Sequence, residues 1–157
     1  MFNSNRMQAV LVSCVAAYFS LVVFNNVTDF ETNHWFVKTV LGMEGVLSED
    51  VLWRAITAPW MILTAYIVII ACEAVIALLL WCAAIQLFRG RDGRSAAMFG
   101  FGLAFCLFMA GFVVVGGEWF YMWSHPRVSG AVTKATGLST LMLLCFGFFA
   151  RVIPSRR

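Results

Sequence analysis

The sequence predicts an all-α fold, an integral membrane four-helix bundle with a short helical extracytoplasmic cap. Composition predicts the membrane. The 157 residues are 62% hydrophobic and 12% charged, with mean hydropathy +0.86, where a soluble domain would carry about 25% charged residues. Patterning predicts the four helices, because four long apolar runs alternate with polar segments. Fifteen Phe and six Trp suit lipid contact and interfacial anchoring. The length leaves room for one domain over residues 1–157, with spans at about 7–24, 60–88, 96–123 and 131–150 and a cap at about 25–58. The net charge of +3 comes from few basic residues sorted by loop, so no nucleic-acid partner is expected.

The first apolar run, from Met7 to Phe24, lacks a small-residue cleavage site and reads as a retained helix. Ser13 with Ala17, and Ala16 with Ser20, are small pairs four apart that let helix backbones approach. Asn25-Asn26-Val27-Thr28-Asp29-Phe30 reads as a turn and capping cluster. Residues 33–41 mix Trp35, Phe36, Val37, Val40 and Leu41 with His34 and Lys38, predicting a short amphipathic helix at the interface. Gly42 and Gly45 break it. Ser48 is placed to cap a helix through Leu52, Trp53 and Ile56, with Glu49 and Asp50 in its first turn.

Pro59 suits the first turn of the second span, which ends at the arginine loop Arg89-Gly90-Arg91-Asp92-Gly93-Arg94. The third span is rich in small residues. Gly102, Cys106 and Ala110, spaced by four, are expected on one packed face. Trp119, Phe120, Tyr121 and Trp123 read as an interfacial belt. A loop with His125 and Pro126 precedes the fourth span, where Ala131, Ala135 and Ser139 predict a close-packing face.

Basic residues set the expected orientation. Arg6, Arg89, Arg91, Arg94, Arg151, Arg156 and Arg157 fall on one side, against Lys38, Arg54, Arg127 and Lys134 on the other. Both termini and the arginine loop are therefore expected in the cytoplasm. No internal repeat supports an inverted-repeat transporter.

The group that stands out chemically is Glu73. It lies about 20 Å along its helix from Pro59, near mid-bilayer. An acid at that depth costs about 2.5–3.5 kcal/mol on insertion scales, and by default marks a functional site. Desolvation favours its neutral form. Its expected roles are a proton or cation relay, or a hydrogen bond to a neighbouring helix. Tyr66 shares its helix face two turns away. Glu118 lies nearer the outer surface, after Gly116 and Gly117, with Arg54 as its expected ion-pair partner.

No span contains His, so a haem held between helices is disfavoured. His34 and His125 are expected to be solvated or interfacial, and no metal signature is present. Cys14, Cys72, Cys82, Cys106 and Cys145 all fall in apolar runs and read as packing residues. Neither a Ser/His/Asp arrangement, a phosphate loop nor an HExxH motif occurs. No cofactor is expected.

The chain resembles the bacterial small integral membrane proteins catalogued as domain of unknown function 2165. The matching pieces are Phe24-Asn25-Asn26-Val27-Thr28-Asp29, Trp53-Arg54-Ala55-Ile56, Tyr66 with Ile69-Ile70 and Glu73, and Gly111-Phe112 leading to Gly116-Gly117-Glu118-Trp119-Phe120 and Met122-Trp123. They recur in order over roughly residues 10 to 150. The family's pattern continues after the last Trp with Gln and a Trp-Asn-Gly-Gln stretch. Ser124-His125 and Val128-Ser129-Gly130-Ala131 stand there instead. The resemblance implies a four-span protein of the bacterial inner (cytoplasmic) membrane and supplies no established activity. In the expected topology its motifs gather Asn25, Asn26, Asp29, Trp53, Arg54, Glu118, Trp119 and Trp123 at the outer interface, as a folding clamp or a docking surface.

Three functions follow as expectations. The first is a non-enzymatic accessory or assembly subunit of a larger membrane complex, or of a homo-oligomer, in contact with membrane lipid. The second is a small proton- or cation-coupled transporter using Glu73 and Tyr66. The third is an enzyme or quinone site at the aromatic cluster around Glu118.

Overall fold

A computed structural model of the chain describes residues 4–151. Arg156 and Arg157, counted in the charge bias, lie outside the described residues. The protein is an all-α four-helix membrane bundle. Helix α1 spans Ser4–Thr28 and α2 Phe30–Leu41. A 3-10 helix covers Glu49–Arg54, and α3 spans Pro59–Phe88. Helix α4 spans Arg94–Cys106 and continues as a π-helix over Leu107–Trp119. After a 3-10 turn at Met122–Ser124, α5 spans Gly130–Arg151. Four segments are long and apolar enough to cross a bilayer: Asn5–Thr28, Pro59–Phe88, Arg94–Trp119 and Gly130–Arg151. Successive spans alternate in direction. One end of the bundle carries the arginine loop and the other carries the cap.

The core explains the order of packing. Ala9, Val12, Ala16 and Phe19 form the buried face of α1, three and four residues apart. They meet Ile76, Leu80, Ala83 and Leu87 of α3, and this pair makes the most extensive helix contact. Trp81 Nε1 donates to Ser20 Oγ across it at 3.0 Å. Ala135, Ser139 and Met142 of α5 are buried on the far side. At the arginine end, Arg94 donates to the carbonyl of Ala150, so a basic side chain covers an open carbonyl near the end of α5.

Sequence expectations change in the fold at several points. First, α1 does not stop at Phe24 and give way to a helix lying flat. It runs on to Thr28, kinks at Asp29 (φ −112°, ψ 54°), and resumes as α2. Helix α2 then runs antiparallel along the first turns of α3. Phe30 meets Tyr66 with ring centroids 5.0 Å apart, Val37 clusters with Ile62, and the carbonyl of Leu41 accepts the Ile56 N–H at 2.8 Å. The buried side chains of Val37 and Val40 drive this docking. Second, Ser48 makes no side-chain cap, and the helix expected toward Pro59 is only the six-residue 3-10 helix Glu49–Arg54. The chain turns extended at Ala55 (φ −60°, ψ 135°), which ends the helix after Arg54.

Third, the third span ends at Trp119 rather than near Trp123, with Tyr121 left-handed (φ 56°) just beyond it, and its last half is π-helical, as the Phe120 N–H bond to the Val115 carbonyl at 3.0 Å illustrates. The changed period moves side chains off any row drawn at 3.6 residues per turn. Fourth, Cys106, the last residue of α4, and Ala110 in the π-helix are both exposed, and close approach occurs instead at Gly100, packed on Leu80.

The cap closes on a turn at residues 42–45 in which Met43 (φ 51°) and Gly45 (φ 78°) are left-handed. Val40, Met43, Phe120, Met122 and Val128 form a small second core beneath it. Against expectation, His125 is buried there, 8% exposed. It packs on Gly45, and its Nδ1 accepts the Arg127 N–H at 3.1 Å.

A Cβ added at Gly100 would lie 2.7 Å from Leu80 Cδ2, whereas Gly137 and Gly147 have open space. Gly100→Ala is expected to lower stability by about 1–3 kcal/mol through overpacking. Gly137→Ala and Gly147→Ala should each raise it by up to about 1 kcal/mol through lower chain entropy. Thermal unfolding of the detergent-solubilised variants checks both directions.

Candidate functional site

The site begins with the break in α1. In an unbroken helix the Asn26 carbonyl would receive the N–H of Phe30. The kink at Asp29 frees it, and the Tyr66 hydroxyl donates to it from α3 at 2.7 Å. Two other side chains support the break. Thr28 Oγ1 donates back to the Phe24 carbonyl at 2.8 Å, a bond that bends helices. Asn33 Nδ2 donates to the carbonyl of Asp29 at 2.8 Å and to that of Asn25 at 3.5 Å. The polar run at 25–29 therefore specifies a kink with its backbone groups re-satisfied.

The same residue reaches the buried acid. Asn26 Nδ2 donates to Glu73 Oε2 at 2.6 Å. Glu73 is 4% exposed and sits midway along α3. The amide answers the desolvation of one carboxyl oxygen. Oε1 has no protein donor among the described residues. Tyr66, 1% exposed, is packed by Phe30 and His34, so its hydroxyl is fixed on Asn26. His34 is stacked between these rings rather than solvated, and its Nε2 is buried without a hydrogen-bond partner.

Glu73 lines a cavity of about 260 Å³. Each wall is one stripe of a helix: Tyr18, Val22 and Asn26 from α1; Tyr66, Ile69 and Glu73 from α3; Ala131, Lys134, Ala135 and Leu138 from α5. Phe108 and Phe112 close it from the π-helix, and Asn33, Phe36 and Val37 from α2. The cavity can hold a small polar or cationic group. No three His, Cys, Asp or Glu side chains come together to bind a metal among the described residues.

The structure divides the residues expected at the outer interface. Asn26 leaves that group for Glu73. Asn25 and Asp29 are exposed at the kink and contribute carbonyls. Trp53, Arg54 and Trp119 do come together. The Arg54 guanidinium lies 5.2 Å from the Trp53 ring, 4.8 Å from Trp119 and 5.7 Å from Tyr121. It also donates to the Trp119 carbonyl through a long 3.4 Å bond. Trp123 joins through Tyr121 at 5.4 Å. Tyr121 holds a left-handed backbone (φ 56°, ψ 30°), unusual for a bulky residue, and this brings its ring to Arg54.

Glu118 is exposed and makes no ion pair among the described residues, so the expected Arg54–Glu118 bridge is replaced by ring stacking. A solvated ion pair is worth little, whereas partly desolvated stacking on three rings accumulates.

Tyr18, Asn33 and Lys134 were not singled out from the sequence. For Tyr18 the signal is its spacing of eight from Asn26, which puts both on one face of α1. For Lys134 it is a basic residue in the second turn of a helix long enough to cross the membrane.

Arg54→Ala and Trp119→Ala are each expected to lower stability in detergent, with the double variant clearly less than additive because one stacked unit is lost. Glu118→Ala should stay within about 0.5 kcal/mol. A double-mutant cycle by thermal or denaturant unfolding checks both.

No curated protein and no solved structure matches the chain. A family model described as predicted small integral membrane protein, domain of unknown function 2165, matches residues 5–150. It therefore spans the kink, Glu73, the cavity walls and the Arg54 cluster, and the chain belongs to that family.

Proposed function

We propose that this membrane protein is a small proton- or cation-coupled carrier whose working group is Glu73. The proposal sets it in the bacterial inner membrane with both termini and the arginine loop cytoplasmic. The observation that carries the reading is a carboxylate halfway along a span, held through one oxygen by Asn26 and bordering open volume. An acid kept only to tie two helices together needs a partner and no cavity. A carboxylate binds either a proton or a cation, so occupancy by one displaces the other. That competition couples their movements.

The accessory-subunit reading draws on the exposed apolar faces of the helices. Lipid covers such faces as well as a partner helix does. An enzyme at the Arg54 cluster would need Glu118 beside the rings and Arg54, which the exposed position of Glu118 does not favour.

Proteoliposomes with an entrapped pH dye test the proposal. An imposed tetramethylammonium gradient is expected to drive proton movement in the wild-type protein. Glu73→Gln should reduce it to the level of empty vesicles. Undiminished proton movement in Glu73→Gln would contradict the proposal.

A further inference from the structure

We infer that the Glu73 cavity takes an amphiphilic amine, with one cationic head at the carboxylate and a hydrocarbon tail in an adjoining apolar cavity. The inference rests on the carrier reading and names the substrate class of the same site.

The second cavity, of about 240 Å³, lies between α2, α3 and the π-helix. Among the described residues no polar side chain lines it. Its walls include Ala65, Val68, Val115, Phe120 and Met122. Phe36, Val37, Ile69 and Phe112 border both cavities, so the polar chamber and the apolar one adjoin. Gly111 and Gly116 face the apolar chamber without side chains, which keeps it open. Neither volume alone reaches the roughly 300 Å³ of ordinary small-molecule sites, while the two together pass it.

The lining selects the head. Among the described residues Glu73 is the one acid on the polar chamber, whose lining also includes the rings of Tyr18, Tyr66, Phe108 and Phe112. A carboxylate among aromatic faces suits an organic ammonium. A bare metal cation would need several oxygen ligands, and one acid with one amide does not supply them. A neutral amphiphile has no use for a buried acid. Lys134 borders the same chamber from α5, so a second positive charge on the ligand would be repelled.

Calorimetric titration of the protein in nanodiscs, referenced to protein-free nanodiscs, tests this with tetramethylammonium, octyltrimethylammonium and octanol. Octyltrimethylammonium is expected to bind at least about tenfold tighter than either other probe, a small part of what burying its chain can supply. Glu73→Gln should abolish that binding. Ala65→Phe and Gly111→Leu should shrink the advantage of the long amine and leave tetramethylammonium unchanged. Gly111 offers room for the change, since an added Cβ lies no nearer than 3.9 Å to Leu107 Cδ1.

Octanol binding as tightly as the long amine would overturn the inference, as would binding of the long amine that survives Glu73→Gln. Equal affinity for the short and long amines, both lost in Glu73→Gln, would overturn the tail site and leave the carrier reading standing. Loss of the carrier reading itself would show separately, as proton movement unaffected by Glu73→Gln.

Discussion

The hydrogen bond from Asn26 to Glu73 is the constraint on which the rest of the site depends. A carboxyl group midway along an apolar helix is tolerated only if something polar meets it. The donor comes from the stretch where α1 stops being regular. The kink at Asp29 frees the Asn26 carbonyl for Tyr66 and leaves the Asn26 amide for Glu73. One residue thus joins three features: the break in α1, the aromatic packing of α2 on α3, and the intramembrane acid. The cost of breaking a helix within the bundle is offset by re-satisfying each freed group locally, with Asn33 and Thr28 completing the set.

The π-helical half of the third span plays the complementary part. It starts at Leu107, one residue before Phe108 joins the cavity wall. Long π-helical runs are uncommon and concentrate where function needs them. Here the run carries Gly111 and Gly116 past α2, with Gly116 buried against Met122 and Gly117 beside Val132. A side chain at Gly116 would press on Met122, and one at Gly117 on Val132 of α5. The Arg54 stack then pins the end of the same helix to the cap, so the opening is held between a fixed rim and the buried core near the arginine end.

Much of this was legible in the residues. Composition and four apolar runs specify a four-helix membrane bundle, and Glu73 announces itself by its place in an oil-soluble helix. Its partner did not. Asn25-Asn26 follows an apolar run of bilayer length, so the chain reads as leaving the membrane there. Its true level is set by how far α1 slides along α3, which the Trp81–Ser20 bond and the buried faces fix and local sequence does not. The Arg54–Glu118 bridge failed for a related reason. Opposite charges were matched by depth, yet rings and a carbonyl closer to Arg54 took its place. The packed row through Gly102, Cys106 and Ala110 failed because α3 meets this span on another face, with Gly100 against Leu80, while Cys106 and Ala110 are exposed.

The most direct measurement of the central claim is a double-mutant cycle between Asn26→Leu and Glu73→Met, read by unfolding in detergent. Each single change strands a buried polar partner and should destabilise the protein by about 1–3 kcal/mol. The double variant replaces both partners with apolar groups of similar size. It should recover much of the loss, with a coupling of at least about 0.5 kcal/mol. Strictly additive losses would show that Asn26 does not hold Glu73, and would contradict the account.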